Sequence, residues 1–124
     1  MRTSVIEING EKHLLCFNLY ALKACCERYG SFAGISEALK KAEDAERMDE
    51  VLWLLETLMK SGAVYAKTML MENPEALSAE NMLAVCDAGF FKGLTVKIIA
   101  VINDGMNAAV EVQSSKNGET TQEK

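Results

Sequence analysis

Few side chains in this sequence could do chemistry, and a single histidine limits the options. His13 stands in no arrangement with serine and aspartate, or with cysteine, that suggests a nucleophilic site. The segment NDGMN at residues 103–107 is partly like a calcium-binding loop, but it lacks the further acidic positions and the closing glutamate. The glycines form no phosphate-binding pattern. We therefore expect no catalytic, cofactor-binding or metal-binding residues, and no enzymatic activity.

The cysteines indicate packing more than reactivity. Four are present, Cys16, Cys25, Cys26 and Cys86, and none forms a Cys-x-x-Cys pair that could begin a zinc site. A disulfide between Cys25 and Cys26 would be strained, because they are neighbours in a predicted helix. Free, buried thiols in a reducing compartment are the expected state.

Composition and charge exclude several classes of partner. The chain has 124 residues, 49% of them hydrophobic, which is enough for one folded domain with one core. Its net charge of −5 and pI near 4.9 disfavour binding to a phosphate backbone. Charges interrupt every apolar run well before the ~20 residues of a membrane span, and no signal peptide is evident. We expect a cytoplasmic protein with neither nucleic acid nor membrane as a partner.

The N-terminal segment predicts a β-hairpin over residues 5–17. Asn9-Gly10 is the preferred pair for a two-residue type I′ turn, and it places Glu7 opposite Lys12 and Ile6 opposite His13. One face then carries only side chains suited to burial, namely Ile6, Ile8, His13, Leu15 and Phe17. A lone hairpin is barely stable in water, so this face must lie on helices or on another chain.

The rest of the chain predicts a compact bundle of four to five helices, giving a mainly α fold with a small hairpin (α+β). Asn18 caps the first helix, Gly30 ends it, and a short second helix follows over residues 31–41. The charged run at residues 40–50 is either a solvated helix face or a linker, and we favour an exposed connection into a long helix over residues 48–71. Gly62 interrupts that pattern, which leaves one kinked helix or two open, and Asn73-Pro74 is expected to end it.

The C-terminal half completes the predicted domain. Ser78 is expected to cap a short helix, and a last helix should run from residues 88 or 89 to about residue 110. We assign residues 1–112 to one domain and residues 113–124 to a disordered polar tail, since the tail has no apolar periodicity.

Two helices carry apolar residues on a second face. On the long helix Trp53, Val64 and Met71 lie together away from the main stripe, and on the last helix Val96 and Ile99 do the same. A helix that is apolar nearly all round is either central in its domain or covered by a partner. Both interpretations stay open here, and under the second these five residues form the candidate partner-binding set.

The order of these elements resembles the tail assembly chaperones of long-tailed bacteriophages and prophages. The resemblance rests on an "I-N-G" hairpin at residues 8–10, an "A-L" pair at residues 21–22 and an "E-x-Y-G" helix end at residues 27–30. It continues through "GS" at residues 30–31, a Leu-rich helix over residues 51–58, a capped helix at residues 78–80 and an apolar last helix. It covers roughly residues 5–105. The helix-like stretch at residues 60–72 departs from it.

The resemblance implies a binding function. Such chaperones hold the apolar helices of the tape measure protein in solution until the tail tube polymerises around it, in the cytoplasm of the bacterial host. The tail tube protein is a second candidate partner, and self-association through apolar helix surface is also expected. The alternatives are a structural phage tail component and a small helical regulatory adaptor, both non-enzymatic.

Overall fold

The fold is mainly helical with one N-terminal hairpin, as the sequence predicts. The computed structural model describes the backbone of residues 2–41 and 43–117, and the side chains of residues 2–40 and 43–107. Within those ranges it contains two strands and six helices: β1 (Ser4–Ile8), β2 (Glu11–Leu15), α1 (Leu19–Tyr29), α2 (Ala33–Lys41), α3 (Asp44–Thr68), α4 (Ala79–Val85), α5 (Ala88–Phe91) and α6 (Leu94–Asn117). The α+β class is confirmed.

The hairpin has the predicted turn and register. Asn9 and Gly10 both have positive φ, 54° and 83°, as a type I′ turn requires. β1 pairs antiparallel with β2, with Ile6 opposite His13 and Glu7 opposite Lys12. The face predicted to be covered is covered, because all five of its side chains are buried: Ile6, Ile8, His13, Leu15 and Phe17.

α3 is the central element of the domain. It packs against β2, α1, α2, α4 and α6. Its buried side chains supply the middle of one continuous core, in particular Val51, Leu52, Leu54, Leu55, Leu58 and Met59. A helix surrounded in this way needs apolar residues on more than one face, which explains Trp53 of the predicted second stripe, since it packs against the core.

Gly62 lies inside α3, which continues through it as a single helix. A Cβ atom at this position would overlap the carbonyl oxygen of Leu14 in β2. The absence of a side chain therefore lets the strand backbone lie directly on the helix. Gly105 of α6 has a related role, because a Cβ there would stand 2.5 Å from the carbonyl oxygen of Phe17.

α3 begins and ends earlier than the sequence suggests. It starts at Asp44, so most of the charged run is helical and not a connection, and a reciprocal capping box between Glu43 and Glu46 stabilises its first turn. It ends at Thr68, before Asn73-Pro74. The Met71 amide donates to the Ala66 carbonyl (2.8 Å), and the Leu70 amide donates to the Lys67 carbonyl (3.2 Å). This is the Schellman pattern of helix termination.

The single last helix that the sequence predicts is two helices. α5 ends at Phe91 and α6 begins at Leu94, with Gly93 between them at a φ of +75° that favours glycine. α6 then continues to Asn117, beyond the predicted end near residue 110 and into the predicted tail. Residues 111–117 contain no glycine or proline to stop it. The rest of the predicted tail, residues 118–124, lies outside the described residues.

Helix α1 keeps its predicted caps but not its whole predicted face. The Asn18 side chain accepts the Ala21 amide at the start, and Gly30 has left-handed geometry at the end. Leu19, expected on the apolar face, is 80% exposed. No helix in the described part of the chain is long and apolar enough to cross a membrane.

Candidate interaction surface

The histidine is part of the core. His13 is 1% exposed, and neither ring nitrogen has a hydrogen-bond partner. Burial lowers the pKa of His13 because charging the ring there costs solvation, and the nearby charge of Glu11 offsets this only in part. His13 is therefore a neutral packing residue whose protonation opposes folding.

This burial predicts a loss of stability in mild acid. The unfolded chain binds the His13 proton near pH 6.5, whereas the folded chain binds it only at lower pH. His13 should thus contribute no change in the free energy of unfolding above about pH 7, and between pH 6.5 and 5 it should lower that free energy by up to about 1.4 kcal/mol per pH unit. Urea titrations at stepped pH measure this slope. His13→Leu should flatten it, and an equal slope in both proteins would contradict the assignment.

The thiols differ in exposure. Cys16 and Cys25 are buried as expected, but Cys26 is exposed on α1, which corrects the prediction of four buried thiols. Burial raises the pKa of Cys16, and it raises that of Cys25 to about 11, so neither is a ready nucleophile. No cluster of three or more His, Cys, Asp or Glu side chains that could hold a metal occurs among the described residues.

Trp53 is held in a cluster between α1 and α3. Its ring meets the Tyr29 ring edge-on, with centroids 5.7 Å apart, and the Arg28 guanidinium carbon lies 4.5 Å from its centroid. Glu50 accepts two hydrogen bonds from Arg28, at 3.1 and 3.2 Å, and one of 2.6 Å from the Tyr29 hydroxyl. We call these four residues the Trp53 cluster. They join two helices, which gives Trp53 a structural role.

The electrostatics of the cluster favour a charged Glu50. Partial burial would raise the pKa of this carboxyl, but the hydrogen bonds from Arg28 and Tyr29 outweigh it, so the pKa is lowered. Burial and the adjacent carboxylate together raise the pKa of Tyr29, which keeps its hydroxyl protonated as a donor. The cluster is thus a bidentate ion pair between Arg28 and Glu50, with the Trp53 ring packed against the Arg28 guanidinium.

The other two candidates from the long helix lie at its far end. Val64 is 44% exposed on α3, and Met71 is 48% exposed beyond the end of that helix. Met71 belongs to a segment that we call the methionine turn, formed by Met69, Leu70 and Met71. Leu70 is 94% exposed, and its φ of +58° is in the left-handed region. The structure therefore does not place Met71 on a helical stripe with Trp53.

Leu70 stands where a Schellman motif usually has glycine. A side chain in left-handed geometry costs roughly 1–2 kcal/mol, and the exposed Leu70 side chain gains little packing to offset it. The sequence pattern places Leu70 on the main apolar stripe of the long helix, which is wrong, because nothing local predicts positive φ at a leucine. The signal that could have found it is the run Met69-Leu70-Met71, three apolar residues directly after the helix.

The candidates from the last helix lie at or near a groove. Val96 is 72% exposed on α6, and Ile99, one turn further on, is 42% exposed and lines an open groove of about 680 Å³ between α2 and α6. The buried side chains of Ile35 and Ile102 form the floor of this groove, while Phe32 and Ile99 stand half-exposed at its edges. Both helices pack on α3, which spaces them apart.

The groove has a basic end. Lys40 from α2 and Arg47 from α3 are the charged side chains that line it. The Arg47 Nε atom donates to the Leu39 carbonyl (3.2 Å), which ties α3 to the end of α2. Phe32, Lys40 and Arg47 were not singled out from the sequence, since their nearness to Ile99 depends on how three helices pack.

Comparison with known proteins adds no assignment. No protein-family model, curated protein or solved structure matches the chain. The surfaces described above, together with the resemblance in the order of elements, are therefore the basis for a functional hypothesis.

Proposed function

We propose that this protein is a tail assembly chaperone of a bacteriophage or prophage, which binds the tape measure protein and keeps its apolar helices in solution in the host cytoplasm. It acts by reversible contact and not by catalysis. The observation that carries the proposal is the methionine turn, with side chains 55%, 94% and 48% exposed at Met69, Leu70 and Met71.

The methionine turn supports binding because it is unfavourable for the isolated chain. Leu70 adopts left-handed geometry without gaining buried area, so glycine would suit the fold better. Contact with a partner would bury the leucine and the two flanking methionines, which adapt well to varied apolar surfaces. A protein that holds many different helices of one long partner needs such an adaptable surface.

The hairpin supports the family part of the proposal. Asn9 and Gly10 form the turn after Ile8, and Gly30 closes α1, so these motifs lie at local turns and helix ends, in the order on which the resemblance rests. The acidic charge, −5 overall, also suits a chaperone that must stay in solution beside an apolar client. Self-association and contact with the tail tube protein remain parts of the same proposal.

The test is co-expression with a candidate tape measure protein, which the proposal expects to be encoded near this protein. Leu70→Gly should leave the free energy of unfolding unchanged or raise it by up to about 1 kcal/mol, because it removes backbone strain. The same change should reduce the tape measure protein recovered in the soluble fraction several-fold. Leu19→Ala, which removes another highly exposed leucine, is the matched control and should recover as much as the wild type.

Two outcomes would overturn the proposal. One is that the wild-type protein recovers no more soluble tape measure protein than an empty vector. The other is that the protein is found in stoichiometric amount in purified virions by mass spectrometry, which would indicate a structural tail component.

A further inference from the structure

We infer that the groove between α2 and α6 binds an amphipathic α-helix whose apolar stripe is flanked by acidic side chains. The inference rests on the proposed function for the source of this helix, a segment of the tape measure protein. It goes further by assigning a second contact surface, separate from the methionine turn, and the charge pattern of the helix that fits it.

The shape of the groove favours an apolar stripe. Buried Ile35 and Ile102 form its floor, and half-exposed Phe32 and Ile99 form its edges. An occupant can therefore insert apolar side chains between α2 and α6 and cover the edge residues as well. A volume of about 680 Å³ holds a few large side chains, which matches the anchors that one helix presents at positions i, i+3 or i+4, and i+7.

The backbone chemistry favours a helix over an extended strand. The facing walls are α2 and α6, and a helix uses its own backbone donors and acceptors internally along its length. The groove thus offers no sheet edge with which an extended peptide could pair. A helical occupant satisfies its own backbone groups and needs only side-chain contacts from the groove.

The charge of the groove determines which charged side chains should flank the apolar stripe of the bound helix. The whole chain carries a net charge of −5, yet the charged residues lining the groove are Lys40 and Arg47, with no described carboxylate among the lining residues. No described residue forms an ion pair with Lys40, whose side chain is exposed. An acidic flank would complement this basic end, whereas a basic flank would be repelled by it.

The experiment titrates the full-length protein into three dye-labelled synthetic helices and follows fluorescence anisotropy. The first peptide has leucine at helical spacing with glutamate flanks. The second has the same leucines with lysine flanks. The third has the glutamates but leucines moved off helical spacing. The first should bind at least tenfold more tightly than the second, and the third should not saturate.

Variants locate the site. Ile99→Glu should weaken the acidic-flank peptide at least tenfold, because it puts a carboxylate at the groove edge. Val85→Glu is the matched control, since Val85 is similarly exposed (47% against 42%) but lies on α4 and does not line the groove, and it should change the affinity less than threefold. Lys40→Glu, at an exposed position that leaves the fold undisturbed, should reduce or reverse the preference between the two flanks.

The outcomes separate this inference from the proposed function. Equal weakening by Ile99→Glu and Val85→Glu, or equal affinity for both flanks, overturns the groove as the site. A second result would also overturn the groove as a helix-binding site. In it, light scattering shows that the wild type is a dimer and that Ile99→Glu is a monomer, and the wild type binds none of the peptides. Groove-dependent peptide binding with no recovery of soluble tape measure protein overturns the proposed function and leaves the groove assignment standing. If Ile99→Glu leaves the recovery of soluble tape measure protein unchanged, the groove is overturned as the site and the proposed function stands.

Discussion

Gly62→Ala should lower the free energy of unfolding by about 3 kcal/mol or more, the largest effect expected of a methyl group added at any of the described glycines. The added Cβ would overlap the Leu14 carbonyl oxygen, which is backbone and cannot rotate away. Relief requires β2 to move off α3, and that movement would open the contact that buries the hairpin face, including Leu15 and His13.

The steric overlap and helix propensity predict changes of opposite sign in the free energy of unfolding, so the measurement distinguishes them. On helix propensity alone, alanine in place of glycine inside α3 should stabilise the protein by up to about 1 kcal/mol. Gly89→Ala is the matched control, because its Cβ would meet only the Asp87 carboxylate, at an ordinary 3.5 Å, and it should be neutral or stabilising. Urea unfolding of both variants provides the measurement. A neutral or stabilising Gly62→Ala would show that the hairpin does not lie on α3 as described.

Features set by neighbouring residues could be predicted from the sequence. The hairpin register follows from the two residues of its turn, because Asn9 and Gly10 both accept positive φ. The caps of α1 follow in the same way, since Asn18 and Gly30 act on backbone groups within a few residues of themselves. Alternation along the strands then identified the buried face, and His13 with it.

Features set by distant residues could not be predicted in that way. Gly62 looks like a helix breaker until Leu14, 48 positions earlier, is known to lie against it. The end of α3 was placed too late because a leucine, not a glycine, occupies the left-handed position after it. In both cases tertiary packing or tolerated strain outweighs the local preference.

The candidate surface shows the same division. Helical periodicity correctly marked Val64, Val96 and Ile99 as apolar and outside the main stripes, and all three are exposed. Periodicity could not show that Ile99 faces Phe32 across a groove, because α2 and α6 are far apart in sequence and both pack on α3. It also could not separate Trp53 from the others, since its neighbours Arg28 and Tyr29 come from α1.

Trp53→Ala should therefore act first on folding. Large aromatic side chains cost about 3–5 kcal/mol when truncated in a core, and the half-buried position of Trp53 suggests the lower end, about 3 kcal/mol. The loss has two physical parts. The edge-on contact with Tyr29 disappears, and Arg28 loses the ring that lies 4.5 Å beneath its guanidinium while it remains paired with Glu50.

Two experiments on the same variants distinguish a structural role of Trp53 from direct contact with the partner. They are urea unfolding and co-expression with the proposed partner, the tape measure protein. Trp53→Phe should restore more than half of the lost free energy of unfolding, because a phenyl ring can still meet Tyr29 edge-on. The control is Val64→Ala, on the exposed face of the same helix, which should lower the free energy of unfolding by less than about 1 kcal/mol. A Trp53→Ala protein with wild-type stability that recovers no soluble tape measure protein would instead make Trp53 a direct partner contact. Because Arg28, Tyr29 and Glu50 already occupy the surroundings of the indole, we expect the stability loss, with binding reduced only in proportion to the unfolded fraction.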